Sequence, residues 1–239
     1  KPDGSTQEFY DQPVIEDGKL YCHFGALGNA CLDTRAGKVL WTNTDLVVMH
    51  ENGPGSTPVL WKNLLVFHLD GSDQQFIAAL DKRTGKLAWR FYTVPGNPAD
   101  GFENEAMAMA AKTWTGEWWK YGGGGNAWNG ITYDPDFNTV YIGTGNGGPW
   151  DRNFRSPQGG DNLYLASILA IKPDTGRLAW HFQQVPGDQW DYTTVQPMLL
   201  ADLKINGRDR KVLMQAPKNG FFYVIDRVTG EFISGKQYS

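Results

Sequence analysis

Ala79-Leu-Asp-Lys-Arg-Thr-Gly85-Lys-Leu-Ala-Trp89 decides the fold, because the chain repeats it. Cys31-Leu-Asp-Thr-Arg-Ala-Gly37-Lys-Val-Leu-Trp41 precedes it, and Ala170-Ile-Lys-Pro-Asp-Thr-Gly176-Arg-Leu-Ala-Trp180 follows it. Val224-Ile-Asp-Arg-Val-Thr-Gly230-Glu-Phe-Ile-Ser234 is a fourth copy, with Ser where the others end in Trp. Self-similarity of this kind marks a repeat architecture. Each copy reads as a strand, a tight turn and a second strand. Asp or Lys opens the turn, and Gly takes the position that needs a positive φ. The Trp is expected to pack each unit against its neighbour.

Working outward from each copy, further strand patterns complete a unit. Pro13-Val-Ile and Lys19-Leu-Tyr-Cys-His-Phe precede the first copy, and Thr57-Pro-Val-Leu-Trp and Leu64-Leu-Val-Phe-His-Leu the second. Ala127 to Tyr133 and Thr139-Val-Tyr-Ile-Gly precede the third, and Val195 to Ala201 and Lys211 to Ala216 the fourth. Four antiparallel strands per unit make a propeller blade. The expected fold is therefore an all-β propeller of about four Trp-motif blades, two in residues 1–91 and two in residues 92–239. An open arc would expose two apolar end faces. A partial ring, a small closed ring and half of an eight-bladed assembly of two chains all remain open.

Two insertions interrupt the period. One spans Pro95 to Tyr121 and carries a helix pattern, Phe102 to Lys112, so a helical insertion is expected at about 97–121. Acidic residues open that pattern and Lys closes it, as the helix dipole prefers. The other, Pro149 to Asp161, is polar with Gly and Pro and reads as a loop. Between them lie Gly122-Gly-Gly-Gly-Asn-Ala-Trp128 and Gly143-Thr-Gly-Asn146-Gly-Gly-Pro-Trp150, which flank a short strand read from Ile131 to Ile142. Consecutive glycines leave a backbone that another group can approach closely.

Composition agrees with short strands and tight turns: aromatic residues make up 13%, with ten Trp, and there are 29 Gly. The net charge is -4, and no basic stripe occurs, which argues against a nucleic-acid partner. No apolar run has the length of a membrane span. The polar start, Lys1-Pro-Asp-Gly-Ser-Thr-Gln, does not read as a signal peptide. Cys22 and Cys31 lie on neighbouring candidate strands, and a cross-strand disulfide and two core thiols are equally open readings. No Cys-x-x-Cys-His occurs, so covalently attached haem is not expected in this chain.

With the Trp-ending repeat in hand, the chain resembles the quinoprotein superfamily of propellers that use pyrroloquinoline quinone (PQQ). Residues from about 92 to 239 resemble the quinohaemoprotein alcohol dehydrogenases. The resemblance is carried by the two glycine-rich stretches and by Arg155-Ser-Pro-Gln-Gly-Gly-Asp-Asn-Leu-Tyr, Pro186-Gly-Asp-Gln-Trp-Asp191-Tyr and Ala216-Pro-Lys218-Asn-Gly-Phe-Phe-Tyr-Val. Residues 1 to about 91, with His23 to Asp33 and Gly53-Pro-Gly-Ser-Thr-Pro-Val-Leu, resemble non-catalytic PQQ-like repeat proteins instead. That contrast suggests a junction near Arg90 to Pro95, as in a fragment or a chimera of propeller pieces.

The resemblance implies PQQ and calcium as cofactors, a small alcohol as substrate and a periplasmic setting. It implies Trp128 as the flat floor under the quinone, within a cofactor contact that includes Asn126. It implies Asn146 and Asp191 as calcium ligands and Asp191 as the catalytic base. Lys218 and Asn219 would contact the quinone oxygens. Each residue also has a structural reading: a core Trp, a turn Asn, a capping Asp such as Asp188, and a hairpin lysine before an Asn-Gly turn. Calcium takes about six to eight oxygen ligands, so the residues present are too few. The family's Glu from an earlier blade has no clear counterpart, and Glu51 is only a candidate. The adjacent-cysteine roof, the Arg-bearing motif and the haem domain are also not found. Each charge-assisted contact contributes about 1.5–3 kcal/mol, so weak PQQ binding or none is expected of the lone chain. The alternative is a non-enzymatic propeller scaffold or binding module.

Overall fold

The computed structural model describes residues 13–50, 57–129 and 131–238. The first sheet contains β1 (Val14–Glu16), β2 (Lys19–His23), β3 (Asn29–Asp33) and β4 (Val39–Asn43). The second contains β5 (Val59–Trp61), β6 (Leu64–Asp70), β7 (Gln75–Asp81) and β8 (Leu87–Tyr92). Helix α1 (Glu105–Ala111) follows, then β9 (Gly123–Gly124), β10 (Thr132–Asp134), β11 (Thr139–Gly143) and β12 (Gly147–Gly148). Next come α2 (Arg152–Arg155), β13 (Ser167–Lys172) and β14 (Arg177–Gln183). The last sheet is β15 (Leu199–Ile205), β16 (Arg208–Gln215), β17 (Phe221–Asp226) and β18 (Phe232–Gln237). Each of the four large sheets is an antiparallel meander, the third running β10-β11-β13-β14.

The repeat explains the meanders in detail. The last hairpin of each four-stranded sheet carries a register shift at one repeat position: Cys31/Leu32, Ala79/Leu80, Ala170/Ile171 and Val224/Ile225. An extra residue there increases local twist just before the turn. The turn is closed by side chain to backbone. Asp81 Oδ1 accepts from the N–H groups of Arg83 and Thr84, and Asp33 and Asp226 do the same in their own turns.

The Trp residues lock neighbouring blades. Trp41 Nε1 donates to the Lys82 carbonyl at 3.0 Å, and its ring lies on Gly85, where a Cβ would sit 2.5 Å from the indole. Trp89 Nε1 donates to the Pro173 carbonyl at 2.9 Å and its ring lies on Gly176, and Trp180 lies on Gly230. Each Trp therefore docks on the turn glycine of the next blade. Gly37, in the first blade, has nothing within 4 Å of its Cβ position. Three apolar clusters fill the spaces between successive sheets, around Phe67 and Leu80, Ile77 and Leu169, and Ile168 and Leu213.

The sheets stand in chain order and do not close into a ring, so the small closed ring is not formed. Ile15 and Leu27 on the first blade and Leu199 and Phe232 on the last are exposed. Two local expectations are corrected. Ile131 to Ile142 is two strands, β10 and β11, joined by a turn that Asp134 Oδ1 holds by accepting from Asp136 N–H, and the strand expected over Ala127 to Tyr133 is only the start of β10. Helix α1 is shorter than its pattern, because the Asn104 side chain accepts from Met107 N–H and sets the start there.

Cys22 and Cys31 are free thiols. Register is the reason: Cys31 pairs with Tyr21 and Cys22 with Ala30, so the two side chains point to opposite faces of the sheet.

Candidate functional site

The site begins with the close approach of two glycine-rich segments. Strands β9 and β12 pair antiparallel, Gly124 with Gly147 and Gly123 with Gly148. Gly124 has φ +87°, and a Cβ there would lie 2.4 Å from the Asn146 carbonyl oxygen. Two further bonds extend the pairing: Gly125 N–H donates to the Asn146 carbonyl and Gly145 N–H to the Asn126 carbonyl, both at 2.8 Å. Only glycine fits such a path. The helical insertion backs it, with Trp114 and Trp118 donating to the Leu163 and Pro95 carbonyls and packing on Val94 and Leu165.

This pairing presents three of the residues singled out in the sequence. The Trp128 ring rests on Gly145, where a Cβ would meet Cζ3 at 2.8 Å, and 45% of the residue remains exposed. Asn146 Nδ2 donates to the Gly147 carbonyl at 3.2 Å, and no protein donor meets its Oδ1 among the described residues. Asn126 takes part through its backbone carbonyl. The neighbouring Ala127 N–H donates to Asp70 Oδ1 at 2.8 Å, which ties the segment to the second blade.

Of the other three residues singled out in the sequence, Asp191 and Lys218 meet across the third and fourth blades. Lys218 Nζ lies 2.8 Å from Asp191 Oδ2, and both side chains are partly exposed. Asp191 sits at φ +61°, a left-handed conformation that costs an L-residue about 1–2 kcal/mol. Such strain at a polar residue is a pointer to function. The turn before it compensates: buried Asp188 accepts from Trp190 N–H and Tyr192 N–H, the capping role expected of it. Burial raises the Asp188 carboxyl above its ordinary range, against the pull of those N–H groups and of Arg155. Asn219 is different. Its Oδ1 accepts from Phe221 N–H and its Nδ2 donates to the Tyr223 hydroxyl, so both ends serve its own hairpin.

The two halves of the site are braced together. Thr194 donates to the Thr144 carbonyl through both its N–H, at 3.1 Å, and its hydroxyl, at 2.8 Å. Thr144 precedes Asn146 by two positions, and Thr194 follows Asp191 by three. A second brace is Arg155, fully buried at the end of α2. The loop reading of Pro149 to Asp161 is thus corrected: it holds a short helix, started by Asp151 accepting from Asn153 N–H. Trp150, four positions after Asn146, and Trp190, directly before Asp191, are exposed. Glu51 lies outside the described residues.

Among the described residues no three His, Cys, Asp or Glu side chains converge to hold a metal. Asn146 Oδ1 and the Asp191 carboxylate are oxygens of the kind a hard cation takes. A flat aromatic ligand fits the open indole of Trp128.

Comparison with known proteins matches residues 15–236 to the family model described as "Glucose/ethanol/alcohol dehydrogenase, beta-propeller domain". The match runs across the position where the sequence suggests a junction. The chain is 51% identical over 211 residues to quinohemoprotein alcohol dehydrogenase ADH IIB of Pseudomonas putida, covering 87% of this chain and 31% of that protein. It is 48% identical over 231 residues to the quinohemoprotein alcohol dehydrogenase of Comamonas testosteroni, covering 92% of this chain and 32% of that protein. The solved structure of ADHIIG from Pseudomonas putida HK5 superposes with a TM-score of 0.86 at 45% identity, covering 94% of this chain and 34% of that chain. The chain thus spans about a third of the length of these relatives.

Proposed function

The chain belongs to the family of PQQ-dependent glucose, ethanol and alcohol dehydrogenase β-propellers, and from that premise we propose that it carries part of the cofactor site of a calcium-dependent alcohol dehydrogenase. The observation that supports this most is the joining of an open indole floor, Trp128 on Gly145, to the Asp191–Lys218 pair through Thr144 and Thr194. When bound, PQQ with calcium supplies the hydride acceptor.

The chain's own residues supply the rest. Trp128 would hold the quinone by stacking, with its exposed ring as the contact. Asn146 Oδ1 and Asp191 offer oxygens to calcium. Asp191 takes the hydroxyl proton of a primary alcohol as general base. Lys218 orients that carboxylate and would supply positive charge to the quinone oxygens. Asn126 and Asn219 complete the contact in this reading, Asn219 chiefly by shaping the turn behind Lys218. We place the activity in the periplasm, as the resemblance implies; no helix among the described residues is long and apolar enough to cross a membrane.

The test is dye-linked oxidation of ethanol with added PQQ and calcium. With PQQ in large excess over its weak affinity, wild type is expected to turn over slowly, and Asp191→Asn to lose about 10²–10⁴-fold in rate with little change in stability. Equal rates in the two proteins end the proposed base role. The exposed end blades also suit a homodimer that completes a larger ring. Light scattering at the mass of a single chain removes that assembly.

A second reading, a non-enzymatic propeller scaffold, draws on the same site: Asp191 is held by Lys218, and too few metal-binding groups converge. A chain that binds no PQQ and still folds cooperatively favours it.

A further inference from the structure

Among the described residues Arg155 is the largest fully buried side chain, and no carboxylate of theirs lies within hydrogen-bonding reach of its guanidinium. Four carbonyl-type oxygens satisfy it instead. Nε donates to Asn162 Oδ1 at 3.2 Å. Nη1 donates to the Pro149 carbonyl and to the Trp150 carbonyl, the latter at 3.0 Å. Nη2 donates to the Asp188 carbonyl. The face of Gly147 lies against the group, where a Cβ would sit 2.2 Å from Cζ. Burial pushes the guanidinium down to about 10, so it stays charged at neutral pH.

Burying a cation without an ion-pair partner is costly, and a plain core would be served better by an apolar side chain. The contacts show what the charge does. One set, Gly147, Pro149 and Trp150, belongs to the turn that carries Asn146. The other, Asp188, opens the turn that carries Asp191. A guanidinium is the side chain with enough donors, in one rigid plane, to hold carbonyls from two segments at once.

We infer that Arg155 is a positioning residue that ties the Asn146 turn to the Asp191 turn and so sets the spacing between the Asn146 amide and the Asp191 carboxylate. The inference rests on the proposed roles of those two residues only for its calcium consequence; the tie itself stands on contacts in this chain.

The test uses the whole chain as Arg155→Met and Arg155→Lys. Hydrogen exchange is followed by mass spectrometry in peptides covering residues 146–150 and 186–192, with the β6–β7 hairpin as internal reference. Both loops are expected to exchange at least tenfold faster in Arg155→Met, and by an intermediate factor in Arg155→Lys, with the reference unchanged. If Arg155→Met does not fold, Arg155→Lys alone decides the matter. Acceleration in one loop only, or in neither, overturns the tie. Calcium titration by calorimetry in the presence of PQQ is the second arm. Affinity is expected to fall at least tenfold in Arg155→Met, and loosened loops with unchanged affinity overturn the spacing role. A wild type that binds no calcium counts against the proposed function, while the exchange arm still judges Arg155.

Discussion

Trp89 and Trp128 make the same contact to different ends. Each lays its indole on a glycine, Trp89 on Gly176 and Trp128 on Gly145, where a Cβ would lie 2.5 and 2.8 Å from the ring. Trp89 is 8% exposed and also donates to the Pro173 carbonyl, so the contact closes a core between two blades. Trp128 is 45% exposed, so one contact is made and much of the ring is left open. The lesson is that a repeated packing device becomes a candidate binding surface where the period is broken. The glycine-rich stretch that holds Trp128 lies between the two insertions and outside the Trp-ending repeat.

The comparison is broken most directly by truncating each ring. Trp89→Ala is expected to cost about 3–5 kcal/mol, as deletion of a buried Trp does. Trp128→Ala is expected to cost less than about 1 kcal/mol in stability. Urea unfolding of the two variants against wild type checks this. A stability loss in Trp128→Ala as large as in Trp89→Ala would show a core role for both.

Next in size is an acid response in the first blade, which carries interlocks but none of the proposed site. His23 is 2% exposed, donates from Nδ1 to Asn29 Oδ1 at 2.8 Å, and packs on Phe67. Burial lowers its pKa to about 4, with His68 and His50 adding to the effect. The unfolded chain then binds a proton that the folded chain refuses between about pH 6.5 and 4. Stability is therefore full above about pH 6.5 and falls as the pH drops toward 4, by roughly 3 kcal/mol. Urea unfolding at pH 7 and pH 4.5 is expected to show this loss, and His23→Gln to flatten it. The same slope in wild type and His23→Gln would assign the response elsewhere.

What was legible in the sequence follows the same division. The blades were, because each copy carries its own turn Asp or Lys and its Gly at fixed spacing, the first three copies add the Trp, and those residues meet as the spacing implies. Trp128, Asn146, Asp191 and Lys218 could be singled out from their motifs. Their joining could not, since Thr144–Thr194 and Arg155 act across 50 and 33 positions of sequence. Asn219 shows the converse: its motif pointed at a ligand, while its hydrogen bonds serve the hairpin. The cysteines were undecided by spacing because a shift of one residue in register turns a side chain to the other face. Arg155 stood inside a quoted segment, but only its burial shows that it differs from a surface arginine.

As proposed, Trp128 is a ligand floor rather than a core residue left uncovered. Titration of the chain with PQQ in excess calcium, read by quinone absorbance, tests it most directly. A weak, saturable and calcium-dependent shift, lost in Trp128→Ala, is the expected result. No shift at high micromolar PQQ, or the same shift in Trp128→Ala, would contradict it.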